Sequence, residues 1–109
     1  MSDIDPQKAI TFIYENAPIY AEAKANRAYL EQFRKSKKAL IMIASTARTD
    51  MLKEAEAYAD GEYQALLNAY KEAVATEERL RWQMIAAQAK VEIWRTQSAN
   101  NRAMDGASR

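Results

Sequence analysis

The chain has 109 residues, of which 49% are hydrophobic, and its 16 basic and 15 acidic side chains give a formal net charge of +1. It contains two glycines and two prolines, and it has neither cysteine nor histidine. This composition predicts a single, largely helical domain, and it excludes a disulfide framework, thiolate or histidine catalysis and a zinc site built on those two residues.

The first predicted helix covers residues 6–16. Asp5 is a favourable N-cap residue, and Pro6 suits the first helical position because its missing N–H would have no partner there. Pro18 disfavours a helical conformation at Ala17, so we expect the helix to end before this proline.

The second predicted helix covers residues 18–59. Ser45 to Asp50 is its weak point, since Thr49 could cap a new helix that starts at Asp50. Asp60 and Gly61 form the one internal glycine turn, where we expect the chain to reverse. The apolar stripe predicted for this helix consists of Ile19, Ala23, Leu30, Phe33, Leu40, Ala44, Ala47, Met51 and Tyr58.

The third predicted helix covers residues 62–100 and is followed by a frayed tail, residues 101–109. One stripe with a 3.5-residue period is typical of a helix packed lengthwise on another; it consists of Leu66, Tyr70, Ala73, Glu77, Leu80, Met84, Ala87, Val91, Trp94 and Ser98. Apolar residues on the far side predict a second packing surface. The candidate interface residues are Tyr63, Trp82, Ile85, Ala89 and Ile93.

These elements predict an all-α fold, namely an elongated antiparallel helical hairpin with a short N-terminal helix, forming a single domain over residues 1–100. With the turn at Asp60, the numbers of facing residues should add up to about 121, which pairs Leu80 with Ile41. The two helices of such a hairpin cannot enclose a hydrophobic core by themselves. We therefore expect a homo-oligomer, with a dimer favoured, that completes a helical bundle.

Charge is distributed in blocks along the chain. Residues 24–53 carry two acids and eight bases, whereas residues 54–78 carry seven acids and one base. One interpretation is a solvated surface whose salt bridges fix the antiparallel pairing. The alternative is a stripe that binds phosphates. The candidate nucleic-acid contacts are Arg34, Lys35, Lys37, Lys38, Arg79 and Arg81.

The sequence offers no constellation of residues that predicts catalysis. The general base, the thiolate nucleophile and the Glu-x-x-His motif of di-metal helical bundles all need residues that the chain lacks. We therefore expect no enzymatic activity, no cofactor and no metal site. The absence of cysteine, and of a signal-peptide pattern at the acidic start, predicts a cytoplasmic protein. The lack of a long apolar run predicts that it does not enter a membrane.

Several segments of the second half of the chain resemble small helical proteins encoded by temperate bacteriophages and prophages, often beside recombination or replication genes. The resemblance covers residues 54–104. It rests on five segments, Glu56-Ala57-Tyr58, Tyr63-Gln64-Ala65-Leu66-Leu67, Glu78-Arg79-Leu80-Arg81-Trp82, Glu92-Ile93-Trp94-Arg95 and Asn100-Asn101-Arg102-Ala103. It has no catalytic motif to carry over, and it implies a setting in the cytoplasm of a bacterial host.

Three functions remain open from the sequence. The first is an oligomeric accessory or adaptor protein that binds another protein, in phage recombination or replication. The second is an accessory protein that binds single-stranded nucleic acid through the basic residues named above. The third is an inhibitor of a host nuclease or defence factor, in which the acidic segment 54–78 mimics phosphate charge.

Overall fold

The computed structural model describes residues 4–107, and these residues form three helices and no strand. The helices are α1 (Pro6–Ala44), α2 (Asp50–Ala59) and α3 (Gly61–Ala107). The prediction of an all-α fold is confirmed. None of the three helices is long and apolar enough to cross a membrane.

The start of α1 is capped as the sequence predicts, but its end is not where we expected. The Asp5 carboxylate accepts hydrogen bonds from the backbone N–H groups of Gln7 (3.0 Å) and Lys8 (3.3 Å). The helix then continues through Pro18 to Ala44, so the predicted end before this proline is wrong. Pro18 is exposed, and water can therefore reach the carbonyl that loses its donor. Among residues 4–107, the predicted short N-terminal helix is therefore the first part of α1 and not a separate element.

The structure has a break between α1 and α2 where Ser45–Asp50 predicts one. Residues 45–49 are not helical, and the Thr49 hydroxyl accepts a hydrogen bond from the backbone N–H of Leu52 (3.1 Å). Thr49 is therefore the N-cap of α2. The predicted helix 18–59 is divided between α1 and α2.

Asp60 alone separates α2 from α3. Its backbone N–H donates to the carbonyl of Ala57 (3.2 Å), which ends α2. Its side-chain oxygen accepts hydrogen bonds from the N–H groups of Glu62 (2.9 Å) and Tyr63 (3.0 Å), which starts α3. Gly61 is the first residue of α3 and has no positive φ. The junction between α2 and α3 thus depends on the capping aspartate and does not need a glycine.

We expect Gly61→Ala to raise the free energy of unfolding by about 0.5–1 kcal/mol. Alanine fits this position, since nothing lies within 4 Å of a Cβ built there, and it lowers the entropy of the unfolded chain. Thermal unfolding followed by circular dichroism measures the gain. Gly106→Ala, in the last turn of α3, is the matched control with a smaller effect. A loss of stability in Gly61→Ala would show that the turn does require glycine.

Helix α3 extends beyond the predicted end near residue 100 and reaches Ala107. Residues 99–107 are exposed throughout and contain no proline. The helix thus continues there through its own backbone hydrogen bonds, which no proline interrupts. The last two positions of the predicted tail, 108 and 109, lie outside the described residues.

The described residues divide into two compact units, one built from residues 4–20 and 79–107 and the other from Ala21–Glu78. In the first unit, Ala9 of α1 and Leu80 and Ala87 of α3 are buried. In the second, Ala57, Tyr63, Ala73 and Glu77 are buried. Both cores are small and rich in alanine, which lets helices approach closely.

The stripe predicted for α3 agrees with the observed burial over most of its length, whereas the stripe predicted for the preceding segment does not. Ala73, Glu77, Leu80 and Ala87 are buried. Five members of the other stripe are exposed large apolar residues, namely Ile19, Phe33, Leu40, Met51 and Tyr58. A different face of α1 therefore packs against its neighbours.

Candidate protein-binding surfaces

Within Ala21–Glu78, α1 contacts α3 through an ion pair and through an arginine that lies over a tyrosine ring. Arg27 donates a hydrogen bond from Nε to the buried carboxylate of Glu77 and also lies 3.4 Å from Glu31. The guanidinium of Arg34 lies over the ring of Tyr70, 5.5 Å from its centroid. Hydrogen bonds to Glu77 and to Tyr70 raise the pKa of Arg27, which stays charged at any physiological pH.

These contacts correct the predicted register. The residue numbers of the pairs Arg27–Glu77 and Arg34–Tyr70 each add up to 104 and not to about 121. The reversal of this unit is therefore centred near residue 52, inside α2. The break at residues 45–49 moves the centre of the reversal away from Asp60, because α2 is a separate element and not an extension of α1.

Two lysines at the end of α1 hold the neighbouring acidic segment. Lys37 forms an ion pair with Glu62, which raises the pKa of the lysine. Lys38 donates a 2.7 Å hydrogen bond to the Tyr58 hydroxyl and lies 3.4 Å from Glu54, and the tyrosine contact raises its pKa most. Both ammonium groups thus remain charged up to a higher pH than usual.

Most of the basic residues that were candidate nucleic-acid contacts lie against other side chains of the same chain. Arg34, Lys37 and Lys38 have the partners given above, whereas Lys35 is exposed on the same helix. In the other unit, Arg79 is exposed and Arg81 lies over the ring of Trp82, 4.8 Å from its centroid. Within Ala21–Glu78, the basic residues therefore fit the interpretation in which salt bridges fix the pairing of helices.

The predicted interface residues fall into two groups. Tyr63 is only 3% exposed and packs on Tyr58, with ring centroids 5.7 Å apart, so its assignment to an intermolecular interface is wrong. The aromatic ring of Tyr58, supplied by α2, covers it. The remaining four residues are exposed on one side of α3, and we call them the α3 outer stripe: Trp82, Ile85, Ala89 and Ile93.

A second apolar stripe, which our reading of the sequence missed, lies on α1. Tyr29, Phe33, Leu40 and Ile43 are 60%, 41%, 63% and 80% exposed. With Ser36 they recur in steps of four and three residues, and we call the five the α1 outer stripe. The signal is present in the sequence, but we assigned Phe33 and Leu40 to the face that packs within the chain.

A cleft of about 490 Å³ lies in the first unit, between the start of α1 and the middle of α3. Phe12, Ala86 and Ala87 form its apolar wall, and Lys8 and Lys90 stand at its edge. The polar residues that line it, Asp5, Lys8, Gln83 and Lys90, are all exposed, so none of them is a buried group that would select a ligand. In the described part of the chain, no three acidic side chains lie close enough together to hold a metal ion.

No protein-family model, no curated protein and no solved structure matches this chain.

Proposed function

We propose that the protein is a non-enzymatic accessory or adaptor protein that acts through protein–protein contacts and works as a homo-oligomer. In this proposal its helices form the arms of an elongated antiparallel hairpin, and a second copy completes a helical bundle, with the dimer as the smallest form. The resemblance of residues 54–104 adds phage recombination or replication in the bacterial cytoplasm as the setting.

The observation that carries the proposal is the distribution of apolar side chains. Among residues 4–107, fifteen large apolar side chains are exposed, while the buried apolar residues are Tyr63, Leu80 and four alanines. A soluble monomer normally exposes scattered apolar residues, whereas regular apolar stripes on helices mark binding surfaces. Their number here supports a protein whose partners cover much of its surface.

The contacts of the basic residues favour this proposal over nucleic-acid binding. Lys37 and Lys38 are each paired with a carboxylate, and the Arg34 guanidinium lies against Tyr70. Phosphate binding through these residues would have to replace the internal contacts, which reduces the net gain.

The test is the absolute mass of the protein, measured by light scattering behind a sizing column at low and high salt, with and without a single-stranded oligonucleotide. We expect a mass of at least twice 12.4 kDa that the oligonucleotide leaves unchanged. A complex with the oligonucleotide that disappears at high salt would instead support nucleic-acid binding, because release of counterions makes such binding salt-dependent. A monomer at every concentration would refute self-association.

A further inference from the structure

The α3 outer stripe faces away from the packed side of its own helix. At 100° per residue, the buried residues Leu80 and Ala87 lie about 140–160° round the helix from Trp82. On the stripe itself, Trp82, Ile85 and Ile93 are 59%, 36% and 48% exposed. Large apolar side chains that follow one side of a helix are typical of a surface that binds another helix.

The stripe is complementary to itself when two copies of α3 lie antiparallel. In a twofold pair every contact occurs twice, so the numbers of facing residues add up to a constant. For a constant of about 174, Trp82 comes opposite Ile93 of the other copy, and Ile85 comes opposite Ala89. The small side chain of Ala89 leaves room for Ile85, which lets the two helices come close.

The same constant brings opposite charges together on one flank of the stripe. Arg81 and Glu92 lie only about 20° apart round α3, but they are about 16 Å apart along it, so they do not meet within one copy. A twofold axis between antiparallel helices brings the same flank of both together. Arg81 of each copy therefore comes opposite Glu92 of the other, and two reciprocal ion pairs border the apolar contacts.

The other charges of residues 78–97 fit the same arrangement. Most of those beside the stripe come opposite uncharged residues, namely Glu78 opposite Thr96, Arg79 opposite Gln97 and Lys90 opposite Gln83. Arg95 lies about 60° beyond Glu92 round the helix and pairs with it within the same copy, at 3.1 Å. Glu92 thus lies between Arg95 of its own helix and Arg81 of the other copy, and no like charges are set directly opposite each other.

We propose that the α3 outer stripe binds the same stripe of a second copy, with the two α3 helices antiparallel and Arg81 of each paired with Glu92 of the other. The proposal rests on the self-association in the proposed function and adds the surface that carries it. The charges select this stripe, because a twofold pairing of the α1 outer stripe would set the four bases of residues 34–38 against the same four bases.

Charge reversal tests the pairing, because each variant alone repels itself whereas the two variants attract each other. Arg81→Glu sets a carboxylate opposite Glu92 of the other copy, and Glu92→Arg sets a guanidinium opposite Arg81. We expect each to weaken dimerisation at least about tenfold at low salt, and less at high salt. An equimolar mixture of the two should form a dimer with one copy of each, since both ion pairs then re-form with exchanged signs.

The readouts are the light-scattering mass over a range of concentrations and native mass spectrometry, which distinguishes the mixed dimer from dimers of one variant. Arg102→Glu is the matched control. Arg102 is exposed on α3 and lies about 160° round the helix from Trp82, so the same change of charge should leave dimerisation unaltered. Circular dichroism verifies that the helical content of every variant is that of the unmodified protein.

A second pair of variants tests the apolar contacts without changing any charge. Trp82→Ala removes the largest side chain of the stripe, and we expect it to weaken dimerisation at least about tenfold. Trp94→Ala is the matched control, since Trp94 is 41% exposed on the same helix but lies about 120° from Trp82. That variant should dimerise like the unmodified protein.

The outcomes separate this proposal from the proposed function. If the unmodified protein is a dimer that neither Trp82→Ala nor Arg81→Glu weakens, the pairing through α3 is wrong and self-association stands. If the two charge variants are each weakened but their mixture forms no dimer, the antiparallel register is wrong. A monomeric unmodified protein would refute both proposals.

Discussion

Leu80→Ala should lower the free energy of unfolding by about 2–4 kcal/mol, and the melting temperature by about 10 °C or more. Leu80 is 7% exposed, while the other buried residues of its unit, Ala9 and Ala87, have little side chain to bury. A core this small has few atoms that can move into the space that leucine leaves. The loss therefore combines the transfer free energy of the removed atoms with a cavity that stays open.

Leu52→Ala is the matched control for this substitution. Leu52 lies in α2 and is 52% exposed, so the same truncation should cost less than about 1 kcal/mol. Both variants must be compared with the unmodified protein at one concentration, because the stability of an oligomer depends on mass action. Equal effects of the two substitutions would contradict the placement of Leu80 in the core.

The packing face of α3 could be predicted from the sequence because its pattern is local. Ala73, Leu80 and Ala87 recur with a helical period, and Glu77 stands in line with them. Helix period and residue type decide such a face without knowledge of the partner helix. The capping residues Asp5 and Thr49 could be predicted for the same reason, since a cap depends on its own first turn.

The packing face of α1 could be predicted only in part: Leu30 is half-buried on it as expected, but the face also includes Arg27, Arg34 and Lys37. Cations at a helical spacing look like a solvated face until their partners are known. Those partners are Glu77, Tyr70 and Glu62, and only the correct register brings them opposite α1. The continuation through Pro18 was equally hidden, since the sequence does not show whether water reaches the carbonyl that the proline leaves without a donor.

The candidate binding surfaces, too, could be predicted from the sequence only in part. The exposure of Trp82, Ile85 and Ile93 follows from their position opposite the packed face of α3, which the sequence indicates. Tyr63 was assigned wrongly because α2 supplies Tyr58 to cover it. The α1 outer stripe was missed because the wrong register turned Phe33 and Leu40 inward.

Reversing the charge of Glu77 should lower the melting temperature more than removing its side chain does. Exchanging Glu77 and Arg27 should raise the melting temperature again. Glu77→Ala leaves Arg27 without its partner on α3, and we expect the melting temperature to fall by about 5–10 °C. Glu77→Arg places a second guanidinium beside Arg27, and the fall should exceed about 10 °C. The double variant Arg27→Glu/Glu77→Arg should recover at least about half of that loss.

The reason for the expected recovery is that a double-mutant cycle isolates the interaction between the two side chains from the effect of each substitution alone. The matched control is the same swap at Glu92 and Arg95, which form a 3.1 Å pair on α3 with side chains 65% and 68% exposed. That swap should move the melting temperature by less than about 2 °C, since exposed pairs contribute little. If the Arg27–Glu77 swap fails to recover stability while both single variants are damaging, the pair does not set the register. The apolar contacts around Ala73 would then have to fix the pairing of α1 with α3.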